Sequence, residues 1–380
     1  MAKRESGKYV NQLEGYKAFL PHPLPPFPPL EFDNEIRTLL SKADRALGRL
    51  DGSIQSLPDP ELFVFMYVRK EAVLSSQIEG TQASLGDLLQ AEAELFDPLR
   101  PNDTDEIINY VASLNHGLNR LKEIPLSLRL FREIHAKLMS GVRGDNASPG
   151  EFRTTQNWIG SQGATLKSAS FIPPPPSDLM SVLGALESYI HVESELPLLV
   201  EVGLIHAQFE TIHPFLDGNG RMGRLLITFL LCEREALIKP VLYLSHYLKA
   251  NRLEYYDRLQ AVRTKGDWEG WLKFFLIGVV EVANESTDTA RKIVSLREEH
   301  RNKLIDASGK GAANALKLLE ILYQKPIITV NVIRDELGVS VQAANKIAER
   351  FQSLGLLFEF TGNQRYRVFR YDPYVEIFID

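Results

Sequence analysis

Over the first three hundred residues the apolar positions recur at helical spacing, and the chain is predicted to be nearly all α. Within 61–97, Leu62, Phe63, Phe65, Met66 and Val68 are followed by Leu85, Leu88 and Leu89. Helices are predicted over 103–122 and 127–140, with Asp103 as a cap for the first and Pro125 between the two. The period is lost over 141–177, where Gly, Ser and Thr lead to Pro173–Pro176; this stretch is read as loop with a short hairpin. Helices resume at 178–191 and 197–210, break at His213–Gly220, and continue at 221–235, 251–263 and 268–302. The proline-dense segment 21–30 is incompatible with a helix and is expected to lie extended over the fold.

The pattern changes after 303–310, a polar, Gly-containing stretch read as a linker. A helix at 312–323 is followed by a short one capped by Thr329 and ending at Leu337, a turn at Gly338, and a third helix from Ser340 to about Leu354. Two strands near 356–360 and 365–370 are joined by Thr361–Gln364. Three helices and a two-stranded wing predict a winged helix-turn-helix. The domain reading is therefore an N-terminal region over 1–100, a helical core over 101–302 and a winged helix over 311–372.

Length and composition narrow the picture. With 380 residues, 44% hydrophobic and 24% charged, the chain can bury a large core and has no disordered or fibrous character. A net charge of −6 excludes a molecule built as a whole to coat nucleic acid or anionic lipid. Within 308–372, however, nine basic residues face six acidic ones. Gln342, Asn345, Lys346 and Arg350 could face a DNA groove, with Arg365, Arg367 and Arg370 on the wing. The bias is mild, and winged helices also dock proteins or dimerise, so DNA is not the favoured partner. The lone Cys232 cannot form an internal disulfide and is read as a buried thiol. The N-terminus lacks the apolar core of a signal peptide, and Leu225–Cys232 and Phe274–Val280 are too short to span a bilayer. No membrane association and a cytoplasmic location are expected.

The candidate chemistry lies at His213-Pro214-Phe215-Leu216-Asp217-Gly218-Asn219-Gly220-Arg221-Met222-Gly223-Arg224. Gly218 and Gly220 allow close backbone approach to a ligand. The loop feeds the N-terminus of the 221–235 helix, where unpaired N–H groups and the dipole attract phosphate. Arg221 and Arg224 can add forked bonds to phosphate oxygens. Asp217 suits Mg²⁺ shared with phosphates, and His213, with an ordinary pKa of about 6.5, can take a proton. A nucleotide–metal site with its own base follows, pointing to transfer onto a hydroxyl. His206 and Glu210 lie on the preceding helix; His206 reads as a packed histidine without a role.

The twelve residues match the signature of the Fic family at every defined position, and the chain resembles that family over about 60–372. The resemblance implies a mainly α Fic-fold bundle with a small β-hairpin flap, beside the winged helix. It implies His213 as general base and Asp217 as the ligand of Mg²⁺ or Mn²⁺. Gly218, Asn219 with its side chain, and Gly220 would hold the α- and β-phosphates of ATP; Arg221 and Arg224 would hold the β- and γ-phosphates. Met222 and Gly223 complete the nucleotide-binding stretch, and Tyr255, with Tyr256, resembles tyrosines near the adenine pocket of relatives. The implied reaction moves AMP from ATP to a Ser, Thr or Tyr hydroxyl of a protein, itself included, and releases pyrophosphate. The Doc-like branch, which transfers phosphate, reads Lys where this chain has Gly220.

Ser75, Glu79 and Gly80 fit the family's inhibitory pattern, in which the glutamate pairs with the second arginine, here Arg224. Ser75 and Glu79 are four apart and share one helix face. Ser168, Ala169, Ser170 and Phe171 fall where the family's flap receives its target as an added strand. A homodimer is also implied. Two further readings stay open: an AMP-removing hydrolase using Glu79, and a DNA-binding regulator whose core senses nucleotide.

Overall fold

The structure, a computed structural model, describes residues 4–55, 57, 60–95, 101, 103–142, 148–160, 163–308, 311–362 and 366–379. It opens with a hairpin that the sequence reading did not contain, β1 (Gly7–Asn11) against β2 (Lys17–Pro21), Gly7 opposite Pro21. Neither strand alternates apolar with polar residues, so there was no period of two to detect. The proline segment follows, held by Arg4, whose guanidinium donates to the carbonyls of Pro28 and Pro29 and pairs with Glu269 at 2.6 Å. The chain then enters the helices α1 (Asn34–Gln55) and α2 (Pro60–Ile78).

The period read across 61–97 is broken in two. Gly80, at φ +101°, takes a left-handed turn that a side chain would resist. A new helix, α3 (Leu85–Glu92), starts at a capping box made by Ser84 and Asp87. Next come α4 (Thr104–Arg120) and α5 (Leu128–Leu138). Asp103 makes no side-chain cap on α4; its carboxylate accepts the N–H of Gln82 at 2.6 Å, which ties the break to the start of α4.

Four helices complete the site-bearing part: α6 (Pro176–His191), α7 (Leu198–Ile212), α8 (Asn219–Glu233) and the short α9 (Ser245–Ala250). From Leu199 to Ile212 every residue of α7 except Glu201 is buried, and α8 is buried on nearly all sides. Helices apolar all round belong at the centre of a core. On α8 pack α2, α4 and α5; on α7 pack α6, α10 (Arg252–Lys265) and α11 (Trp268–Ser308). Of residues 303–310, expected to be linker, 303–308 continue α11 and 309–310 lie outside the described residues. Leu304 is fully buried and Glu299 pairs with Lys303 at 2.7 Å, so the local polarity is that of a helix surface. Among the described residues no helix is long and apolar enough to cross a membrane.

The C-terminal part is the winged helix, with one strand more than expected. It comprises α12 (Ala312–Gln324), β3 (Ile327–Thr329), α13 (Val330–Leu337), α14 (Val341–Ser353), β4 (Phe358–Glu359) and β5 (Val368–Arg370). The sheet order is β3-β5-β4, all antiparallel. Thr329 and Ser340 cap α13 and α14 through their hydroxyls, and Gly338 turns between them at φ +66°. Arg365 lies outside the described residues. Arg367 donates to Asn345 of α14 at 2.9 Å, and Arg370 pairs with Asp372. The chain ends with α15 (Asp372–Val375) and a 3₁₀ turn, Glu376–Phe378.

Candidate functional site

His213 ends α7 in the left-handed region, φ +49°, which redirects the chain into the loop before α8. Such a conformation is costly for a non-glycine residue and persists only where neighbours fix it. Here Arg153 donates to the His213 carbonyl at 3.0 Å and Asn157 at 3.1 Å, while Asn157 also donates to the Phe215 carbonyl at 2.8 Å. Asn219 closes the loop on itself: its Oδ1 accepts the Phe215 N–H and its Nδ2 donates to the Phe215 carbonyl, both at 2.8 Å. The Asn219 amide, expected to reach phosphate, thus uses its oxygen and one of its two N–H bonds on the loop backbone. His135 supports the loop from α5. Its Nδ1 accepts the Gly150 N–H, so Nε2 carries the hydrogen and donates to the Asp217 carbonyl at 3.0 Å, while the ring stacks on Phe215 at 3.7 Å. A Cβ at Gly218, φ +75°, would lie 2.7 Å from the Met139 sulfur.

The loop opens into a cavity of about 720 Å³, a volume suited to a nucleotide. Its walls include His213, Asp217–Arg221, Arg224, Glu79, Glu210, Tyr255, Tyr256 and Arg263. The His213 imidazole is not near its ordinary pKa. Burial, with the charges of Arg263 and Arg153, pushes it down to about 3, so the ring is neutral at pH 7. Glu210 goes the other way. Burial raises its acid to about 7, against the pull of Arg224, and its Oε1 is buried without a hydrogen-bond partner. Arg263 donates to the Glu210 carbonyl at 2.9 Å and lies 4.2 Å over the Phe171 ring.

The two arginines of the loop meet different partners. Arg221 is buried and pairs with Glu106 of α4 at 2.9 Å. Arg224 donates through Nε to the Ser75 hydroxyl at 2.8 Å, and through Nη2 to the Ser75 carbonyl at 3.0 Å and to Glu79 Oε1 at 2.6 Å. Burial opposes the Arg224 charge, yet Glu79 and the neighbouring Tyr255, Tyr256 and Glu210 hold its pKa above the ordinary arginine value. Glu79 therefore sits inside the cavity. A Cβ at Gly220 would lie 2.2 Å from its Oε1, so a side chain there would push the carboxylate from this position.

Comparison with known proteins places the loop within a family domain. Residues 37–119 match the Fic/DOC family N-terminal region and residues 125–231 the Fic/DOC family domain. The chain belongs to the Fic/DOC family. Residues 316–369 match an HTH DNA binding domain. A protein adenylyltransferase Fic of Culex quinquefasciatus is 33% identical over 151 residues, 39% of this chain and 27% of that protein. A probable protein adenylyltransferase of Aquifex aeolicus (strain VF5) is 27% identical over 194 residues, 50% of this chain and 56% of that protein. The chain thus spans about a quarter of the length of the insect relative and about half that of the bacterial one. A crystal structure of a Fic family protein from Desulfovibrio desulfuricans G20 shares the fold, with TM-score 0.59 at 19% identity over 90% of this chain and 98% of that one.

In this Fic chain Tyr255 is buried. His206 Nδ1 bonds the Gly223 carbonyl and so carries the hydrogen, leaving Nε2 to accept from the Tyr255 hydroxyl at 2.9 Å. His206 is the packed histidine expected, held neutral by burial at about 4. Tyr256, by contrast, is 39% exposed, with Arg252 5.8 Å over its ring, and offers the cavity an aromatic face. The flap is a single antiparallel bridge between Ile159 and Phe171. Ser168 and Ala169 lie in the turn before it, the Ser168 hydroxyl accepting the Thr165 N–H at 3.0 Å. Ser170 donates its N–H to Ile159, and Phe171 packs on Phe19 of β2, whose N–H donates to the Ile172 carbonyl. The 171–172 strand is therefore engaged on both sides.

Asp217 is exposed on the cavity wall and its Oδ1 accepts the Gly218 N–H at 2.6 Å. One carboxylate together with nucleotide phosphates makes the oxygen set that Mg²⁺ uses. Among the described residues there is no cluster of three acidic, His or Cys groups for a metal. Cys232 is partly buried, its thiol pushed up to about 12 chiefly by burial.

Proposed function

We propose that the protein transfers AMP from ATP to a Ser, Thr or Tyr hydroxyl of a protein, its own surface included, and that Glu79 restrains this activity. The observation that carries the reading is one cavity walled by a neutral imidazole, a helix N-terminus and a buried guanidinium. Nε2 of His213 takes the proton of the target hydroxyl, Nδ1 being buried. The hydroxyl oxygen bonds to the α-phosphorus as the bond to the β-phosphate breaks, and pyrophosphate leaves. The N–H groups at the start of α8 stabilise the charge that grows on the phosphate oxygens. Asp217 would hold Mg²⁺, which when bound neutralises phosphate charge.

Restraint follows from competition. Glu79 engages the Arg224 guanidinium that the far end of the triphosphate requires, and its carboxylate competes with phosphate for that charge and that space. The test is incubation with α-³²P-ATP and Mg²⁺ in the presence of lysate. Label should rise in Glu79→Gly and fall by roughly 10²–10⁴-fold in His213→Ala measured in that background. Absence of label in wild type and Glu79→Gly alike would overturn the reading.

A further inference from the structure

The contact between Glu79 and Arg224 does not explain by itself why Glu79 stays. Its side chain is one-third exposed, so water competes for the carboxylate even though Arg224 is almost wholly buried. A single carboxylate competes with a triphosphate only if something else presents it at high effective concentration. That something is α2, a rod of 19 residues with Glu79 one residue beyond its end.

The opposite end of α2 is gripped by the winged helix and the C-terminal segment. Phe63, in the first turn, stacks on Tyr323 of α12 at 6.5 Å, with ring planes 17° apart. One turn on, Tyr67 packs edge-on against Phe378 at 5.4 Å and donates its hydroxyl to the Ser286 carbonyl of α11 at 2.7 Å. Tyr323 and Phe378 both touch Tyr374, at 4.7 and 5.7 Å, and Tyr374 lies 5.8 Å from Tyr371. Tyr371 directly follows the wing strand β5. An aromatic chain thus runs from the wing to the start of α2, and all of these rings are buried. The Glu79 end is held by the helical core instead: Ile78 is fully buried, the Ser245 hydroxyl donates to Glu71, Lys249 donates to Gln77 at 2.6 Å, and Ser75 and Glu79 meet Arg224.

We infer that the winged helix with the C-terminal segment is the clasp of the brake: its aromatic contacts with the first turns of α2 hold Glu79 on Arg224, and loosening them releases the nucleotide site. The inference rests on the proposed AMP transfer and its restraint by Glu79. It assigns the winged helix a regulatory task whatever it binds. A helix is stiff along its axis, so a shift at Phe63 and Tyr67 reaches Glu79 without any change in the nucleotide loop.

The test compares full-length Phe378→Ala, Glu79→Gly and the double variant by initial rate of labelling from α-³²P-ATP, with thermal melting alongside. Phe378 touches neither the cavity nor the loop. The expected result is a rise of roughly five- to tenfold for Phe378→Ala and no further rise when it is added to Glu79→Gly. Phe378→Leu, which keeps apolar contact, should return most of the restraint. No rise, or the same rise in both backgrounds, would overturn the clasp. If Phe378→Ala does not fold, Phe63→Leu, which loses the stack on Tyr323, is put through the same comparison. If Glu79→Gly itself brings no rise, the restraint reading fails first; if Glu79→Gly rises and Phe378→Ala does not, only the clasp fails.

Discussion

Arg221 and Arg224 stand three residues apart on α8, and each meets a carboxylate from a helix earlier in the chain. Arg221 and Glu106 are both almost wholly buried, 4% and 3% exposed as side chains. Arg224 is as deep at 2%, but Glu79 is 33% exposed and sits at a helix end beside a glycine turn. Two charges removed from water together cannot part without leaving one stranded, so the first pair is permanent. The second pair has a water-facing partner and a cavity beside it, so Glu79 can leave and be solvated while Arg224 passes to another anion. The same residue type on the same helix is in one case scaffold and in the other a contact point for exchange.

The comparison breaks most sharply at Glu106. Glu106→Ala strands Arg221 and should destabilise the fold by about 3–5 kcal/mol, read by denaturant unfolding. Glu79→Gly leaves Arg224 its two Ser75 bonds and should destabilise clearly less than Glu106→Ala, while raising AMP transfer on the order of tenfold. If Glu79→Gly proved as destabilising as Glu106→Ala, the distinction between the two pairs would be lost. Glu210, beside Arg224, sharpens it through pH. Its acid titrates near 7 in the fold against about 4.5 as a free side chain, so the folded state holds a proton that the unfolded state releases. That contribution is complete below the unfolded value and is lost as pH rises through 7. Wild type should therefore lose melting temperature relative to Glu210→Gln between pH 5 and 8, and parallel curves would contradict this. The smallest effect is expected at Ser75: Ser75→Ala removes one bond to Arg224 and should raise labelling by only about twofold.

What could be read from the sequence was what lies close together in it. The loop from His213 to Arg224 is contiguous, and its glycines, arginines and histidine declare a phosphate site wherever the chain goes. Glu79 was reachable because Ser75, Glu79 and Gly80 form a pattern of their own. Glu106, His135, Arg153, Asn157 and Arg263 carry no such pattern; each reaches the site from a different element, and only the packing of α4, α5 and α10 brings them in. The pKa values of His213 and Glu210 were hidden for the same reason, since burial is a property of the assembled core. The strands β1 and β2 do not alternate apolar with polar residues, and β3 is too short to show a period of two. The polarity of 303–308 looked like a linker because a long helix and a linker both present charge to water, and buried Leu304 is a single residue in that stretch.

Gly220 and Glu79 lie 141 positions apart in the chain, yet they occupy adjoining volumes, a Cβ at one falling 2.2 Å from the carboxylate of the other. Neither position is free to drift alone. A lineage that placed a side chain at 220 would push the glutamate's carboxylate aside, and one that lost the glutamate would still meet the Arg224 guanidinium, 3.1 Å from that Cβ. Inheritance at the two positions is thus joined by steric exclusion, and a history of this chain written at position 220 should be legible at position 79.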